Sequence, residues 1–167
     1  MKGSTKRLTF LGLSTAVAII FSYIEVILPP IWSAVPGIKV GLANIIIIFL
    51  LYRMSIKEAV AVSFVRIFLT ALLFGNVMTL AYSVAGAALS LATMALLKRS
   101  SLFSMTGVSI AGGVTHNLGQ ILMAILLLGS REIAYYMIVL TLTGAVAGVF
   151  IGLAAAMLLK HTEKWKF

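Results

Sequence analysis

The sequence predicts an all-α integral membrane protein, a single domain over residues 1–167 with six transmembrane helices and both termini in the cytoplasm. Three observations predict it. The chain is 62% apolar with a mean hydropathy of +1.15, which leaves no room for a soluble domain beside the membrane part. The apolar residues fall into six runs separated by short polar turns, and within a bilayer a helix satisfies the backbone of such runs internally. The cations alternate by side. Of thirteen Lys and Arg, ten fall at the N-terminus (Lys2, Lys6, Arg7), at the second turn (Arg53, Lys57), at the fourth (Lys98, Arg99) and at the C-terminus (Lys160, Lys164, Lys166). Only Lys39 and Arg131 fall on the opposite side, which makes the crowded side cytoplasmic.

The first helix is expected over 8–28. Its apolar run is about 21 residues long, enough to span a bilayer and longer than the core of a signal peptide, so it is read as a retained helix. It stops at Pro29-Pro30, and all three prolines lie in the connection that ends at Pro36-Gly37, which is therefore stiff and extended. The second helix is expected over 38–52, short for a full span. Arg53, Lys57 and Glu58 mark the next turn, and a third helix follows over 58–74. Gly75-Asn76 turns into a fourth helix over 77–97. The polar stretch from Lys98 to Ser104 leads to a fifth over 106–128, and Gly129-Ser130-Arg131 to a sixth over 133–159. Trp32, Tyr135 and Tyr136 fall near the outer interface, Tyr52 and Trp165 near the inner one, as an aromatic belt requires.

Composition excludes several functions. The net charge of +9 would suggest nucleic acid in a soluble protein, but here the cations sit at helix ends, where lipid headgroups account for them. No cysteine is present, which excludes disulfides, thiolate metal sites and iron–sulfur ligation. The chain lacks a GxxxxGK[ST] phosphate loop. One histidine lies within the membrane, too few for two axial haem ligands. There is no aspartate, and the four acids, Glu25, Glu58, Glu132 and Glu163, are dispersed, so magnesium-bound diphosphate chemistry has no ligand cluster. No catalytic residue, metal or cofactor is expected.

Polar residues at membrane depth are the candidates for function. Arg66 lies about eight residues from either end of the third helix, roughly 12 Å deep at 1.5 Å per residue. A charge there is costly unless it faces protein, water or a bound anion. The nearest acid is Glu25, one turn from the outer end of the first helix, and the two either pair or share a site. On the fifth helix His116, Asn117 and Gln120 are spaced to share a face. With Asn44 of the second helix they place hydrogen-bonding groups at compatible depths in the outer half of the bundle. These side chains are either interhelical glue or the lining of an outward-facing pocket. Lys39 would bias such a pocket towards a carboxylate or phosphate, or else serve as a snorkelling anchor. Trp32 stands at its mouth.

Small residues recur at four-residue spacing. Gly144, Gly148, Gly152 and Ala156 form a smooth strip on the sixth helix, expected to pack within the bundle. The first helix carries two shorter versions, Gly12 with Ala16 and Ser14 with Ala18, and spacing does not choose between internal packing and a docking strip.

Three blocks carry a family resemblance: Leu28-Pro29-Pro30 with Pro36-Gly37-Ile38-Lys39-Val40-Gly41-Leu42-Ala43-Asn44; Val65-Arg66-Ile67 through Phe74-Gly75; and His116-Asn117-Leu118-Gly119-Gln120. The chain resembles the family known both as Gx transporter and as heptaprenyl diphosphate synthase component I, over nearly its whole length. That family is similar to the substrate-binding S components of energy-coupling-factor (ECF) vitamin transporters of the bacterial inner membrane. The resemblance implies a six-helix bundle that captures a small ligand from outside. It further implies a shared transmembrane coupling subunit driven by two cytoplasmic ATPases, docked through small residues of the first helix: Gly12 and Ala16, or Ser14 and Ala18. A second role it implies is that of a membrane accessory subunit in a polyprenyl, quinone or flavin-linked electron-transfer pathway.

Overall fold

The computed structural model describes residues 2–27 and 41–164, with side chains from residue 5 onward. These form six helices: α1 (Lys2–Ile27), α2 (Asn44–Arg53), α3 (Ile56–Phe74), α4 (Val77–Ser100), α5 (Met105–Leu128) and α6 (Met137–His161). A short 3-10 segment, Arg131–Tyr136, leads into α6. Among the described residues the protein is wholly helical. Four segments are long and apolar enough to cross a membrane: Thr5–Ile27, Val77–Ser100, Met105–Leu128 and Arg131–His161. This is the pattern of a multi-pass membrane protein. The α3 helix has 19 residues, near the thickness of a hydrocarbon core, but carries Lys57, Glu58 and Arg66. With 10 residues α2 is about 15 Å long, half a bilayer.

Local chemistry sets most boundaries. Ser55, in extended conformation, accepts the Lys57 N–H ahead of α3. Asn76 and Thr79 form a reciprocal capping box at the start of α4. Ser104 caps α5, and Gly129 ends it with φ +64, a left-handed stop that favours glycine. The second helix departs from expectation. Of the predicted segment 38–52, residues 38–40 lie outside the described residues, and Gly41 to Ala43 form a turn rather than helix. Gly41 has φ +87, which a helix does not accommodate.

Packing follows from hydrophobicity and size. In α2 the six consecutive residues Ile46 to Leu51 are all buried, so it is a core helix apolar on every side, set against α1, α3 and α6. α5 lies between α4 and α6, and glycines permit both approaches. A Cβ at Gly119 would stand 2.6 Å from the Ala85 carbonyl oxygen of α4. One at Gly148 would stand 2.6 Å from the Ile110 Cα, and one at Gly152 2.8 Å from the Thr106 Cα, both on α5. The small-residue strip of α6 is thus internal. On α1, Ser14 and Ala18 turn inward with Ser22, whereas Gly12 and Ala16 are exposed and a Cβ at Gly12 would meet nothing within 4 Å. The outer surface presents Phe64, Leu72, Leu126 and Phe150, as a lipid-facing surface does.

Three of the cations identified by their alternation, Arg7, Arg53 and Lys98, bond at one end of the bundle. Arg7 of α1 pairs with the buried Glu58 of α3, which also accepts from the Ser55 hydroxyl. Arg53 Nη2 donates to the Thr162 carbonyl at 3.2 Å, and Lys98 Nζ to the Leu51 carbonyl at 2.5 Å. These contacts tie the ends of α1, α2, α3, α4 and α6 together at this pole.

Candidate functional site

A cavity lies towards the other pole, lined by α1, the start of α2, α3, the Gly75 turn, α4 and α5. From the start of α2 it is lined by Gly41, in the turn before the helix, and by Asn44. That turn is held from α1. Glu25 Oε1 accepts the backbone N–H groups of Gly41 and of Leu42, the latter at 2.9 Å. The carboxylate thus holds the turn that precedes α2, while the first N–H groups of the helix, those of Asn44, Ile45 and Ile46, donate to the carbonyls of Gly41, Leu42 and Ala43. Asn44 follows in the first turn of α2 and lines the cavity.

Arg66 projects from α3 with 9% of its surface exposed. Its Nη1 donates to Ser22 Oγ at 3.3 Å, and Ser22 in turn donates to the Ala18 carbonyl at 3.0 Å. The serine proton is thus committed to its own helix, leaving the oxygen to receive the guanidinium. Glu25 and Arg66 attract each other electrostatically across the site. Thr70, one turn beyond Arg66, also faces the cavity, as do Thr79 and Ser83 of α4.

His116 and Gln120 reach the cavity from α5 because Gly86 of α4 leaves them room. A Cβ at Gly86 would lie 2.9 Å from Gln120 Cγ and 3.0 Å from His116 Cε1. Both are more than nine-tenths buried, with relative exposures of 7% and 5%. Four buried polar atoms of the lining, Arg66 Nε, Thr70 Oγ1, His116 Nδ1 and Gln120 Oε1, have no hydrogen-bond partner among the described residues. Burying such an atom unpaired costs about 1–3 kcal/mol, so their clustering around one space is informative. The space itself is small. About 30 Å³ is open to the centres of water-sized molecules, enough for roughly two waters or one compact polar group.

The structure thus brings Glu25, Asn44, Arg66, His116 and Gln120 to one cavity. Asn117 is placed elsewhere. The helical turn from His116 rotates it towards α6, where its Nδ2 donates to the Leu140 carbonyl at 2.6 Å, beside Gly144. The expectation that it shares the pocket face is corrected: it ties α5 to α6. Trp32, Lys39 and the proline-rich connection lie outside the described residues. Sequence reasoning missed Ser22, Thr70, Thr79 and Ser83. A signal was present, since Thr70 is four residues from Arg66, Ser22 three from Glu25, and Thr79 and Ser83 four apart, each at the spacing that shares a helix face. Among the described residues no three His or Glu side chains gather to hold a metal ion.

The model of the heptaprenyl diphosphate synthase component I family matches residues 14–158. The chain belongs to that family. The match encloses every described residue of the cavity lining, from Ser22 to Gln120. Component I of a synthase implies by its name a partner component in a complex. No curated protein and no solved structure matches the chain.

Proposed function

We propose that this component I family member captures a small ligand from outside the membrane, as the S component of an energy-coupling-factor transporter does. The observation that carries the reading is that four residues lining one cavity, Arg66, Thr70, His116 and Gln120, each hold a buried polar atom without a hydrogen-bond partner among the described residues. Intramembrane ionisable groups facing a cavity mark substrate sites. The cavity admits a polar head and not a whole vitamin-sized molecule, so the ligand's body extends beyond it. The excess of cations at the opposite pole makes that pole cytoplasmic and turns the cavity outward. Ser14 and Ala18 are occupied within the bundle, which leaves Gly12 and Ala16 as the exposed small residues of α1 for docking a coupling subunit.

A second reading is favoured by the family's name. In it the protein is a membrane accessory subunit that presents the same cavity to a polyprenyl synthase or an electron-transfer partner. Purification with its partners separates the two: an ATPase-coupled membrane subunit supports uptake, and a prenyl synthase or redox protein supports the accessory role. Ligand capture itself is tested by a thermal-shift screen of flavins, naphthoquinone precursors and prenyl phosphates on the purified protein. A stabilising compound whose effect falls in Arg66→Ala and Gln120→Ala supports the site, and one whose affinity is unchanged in both places it elsewhere.

A further inference from the structure

Among the described residues the cavity reaches the surface at one point of its lining. Arg66, Thr70, His116 and Gln120 are buried and Thr79 and Ser83 half-buried, whereas Gly75 is exposed, alone among the described lining residues. Gly75 ends α3, so the space runs from the buried polar cluster out to the α3–α4 turn. An aromatic pair stands beside that turn. Phe74 directly precedes Gly75, and Tyr23 directly follows the lining Ser22 of α1. Their rings meet between α1 and α3 with centroids 4.8 Å apart and planes tilted by 41°. The pairing leaves much of each side chain uncovered: Tyr23 is 44% exposed and Phe74 40%. Ile27, one turn beyond Tyr23, and Val77, three residues past Phe74, extend the exposed apolar surface.

Resting on the capture reading above, we infer that Tyr23 and Phe74 form a second subsite. The polar head of the ligand occupies the cavity, and its body passes Gly75 and lies against the two rings. The chemical class is a compact polar head joined to a flat, unsaturated ring body. Aromatic side chains attract such a body through offset and edge contacts as well as through buried area, whereas a saturated chain gains the area alone. A flat ring also has little internal freedom to lose on binding. Tyrosine near a membrane interface is an ordinary lipid anchor. This pair differs in position, because each ring belongs to a residue bonded directly to one that lines the cavity.

The test substitutes a phenylalanine analogue bearing a photoreactive benzophenone at Tyr23 and at Phe74, each in turn, in the full-length protein in its native membrane. Phe150, 69% exposed on α6, carries the same analogue as the control. After irradiation and purification, intact-mass measurement reads what each position captured. A ring compound is expected at Tyr23 and Phe74, lost when Arg66→Ala is added, with lipid alone at Phe150. Tyr23→Leu and Phe74→Leu keep apolar bulk and are each expected to lower the amount of compound retained about twofold to tenfold, with Phe150→Leu unchanged. The crosslink stands as a test by itself should a leucine variant fold poorly. Lipid alone or nothing captured at Tyr23 and Phe74, while the wild type still yields an Arg66-dependent compound on extraction, overturns the inference and leaves ligand capture intact. An Arg66-dependent adduct that is an acyl or isoprenoid chain does the same, as do folded leucine variants that retain the compound at the wild-type level. Absence of any Arg66-dependent compound, crosslinked or extracted, overturns the capture reading with it.

Discussion

The Glu25 carboxylate accepts the Leu42 backbone N–H at 2.9 Å, so the end of α1 holds the turn that leads into α2. Both Glu25 and the turn it holds line the cavity, Gly41 among them. Removing the acceptor leaves partly buried N–H groups unpaired. Glu25→Ala is therefore expected to destabilise the protein by about 1–3 kcal/mol, and Glu25→Gln by less than half of that. Thermal unfolding in one detergent checks the order, and equal losses in the two variants would contradict the turn-holding role.

Close helix contact at Gly148 gives a second expectation. A side chain there meets the Ile110 Cα, which is backbone and cannot rotate away. Gly148→Val is expected to cost about 1–3 kcal/mol through overpacking. Gly12→Ala, on open surface, is expected to stay within about 0.5 kcal/mol of the native protein. Unfolding midpoints of the two variants measured side by side provide the check.

Asn117 and Gln120 are three residues apart, yet their substitutions are expected to act on different properties. Asn117→Ala loses the hydrogen bond to the Leu140 carbonyl and about 0.6–1.7 kcal/mol of stability, with ligand affinity preserved. Gln120→Ala is expected to weaken ligand binding with little loss of stability, because its Oε1 has no partner to lose among the described residues. Binding and unfolding measured on the same preparations distinguish the two.

Much of this was legible in the sequence, for identifiable reasons. The long helices announce themselves by apolar length, and their ends by local chemistry such as the Asn76–Thr79 box and the glycine stop at Gly129. The inward role of Gly148 followed from the four-residue rhythm of small side chains. The start of α2 was not legible, because the turn before it is held by Glu25, a residue distant in sequence whose approach depends on the fold. Asn117 was misplaced because membership of a face was judged by spacing from Gln120, while the rotation from His116 carries Asn117 to a different neighbour. Ser22 and Thr70 were passed over because small hydroxyls are common in membrane helices, where they usually bond their own backbone. Ser22 does that and accepts from Arg66 as well.

Topology is directly measurable because the chain contains no cysteine. Single cysteines placed at Ser101, between α4 and α5, and at Ser130, between α5 and the 3-10 segment, report opposite poles. The charge distribution predicts that Ser101→Cys is labelled by a membrane-impermeant maleimide only after the membrane is opened. Ser130→Cys is expected to react in intact cells.

The central claim is that the Arg66 cluster holds a small molecule and does not merely knit helices together. Mass spectrometry of small molecules extracted from purified wild-type protein and from an equally folded Arg66→Ala variant tests it most directly. The account predicts a compound carried by the wild type and depleted about tenfold or more in the variant, since losing a buried charged partner commonly costs that much affinity. Identical small-molecule profiles from the two proteins would contradict it.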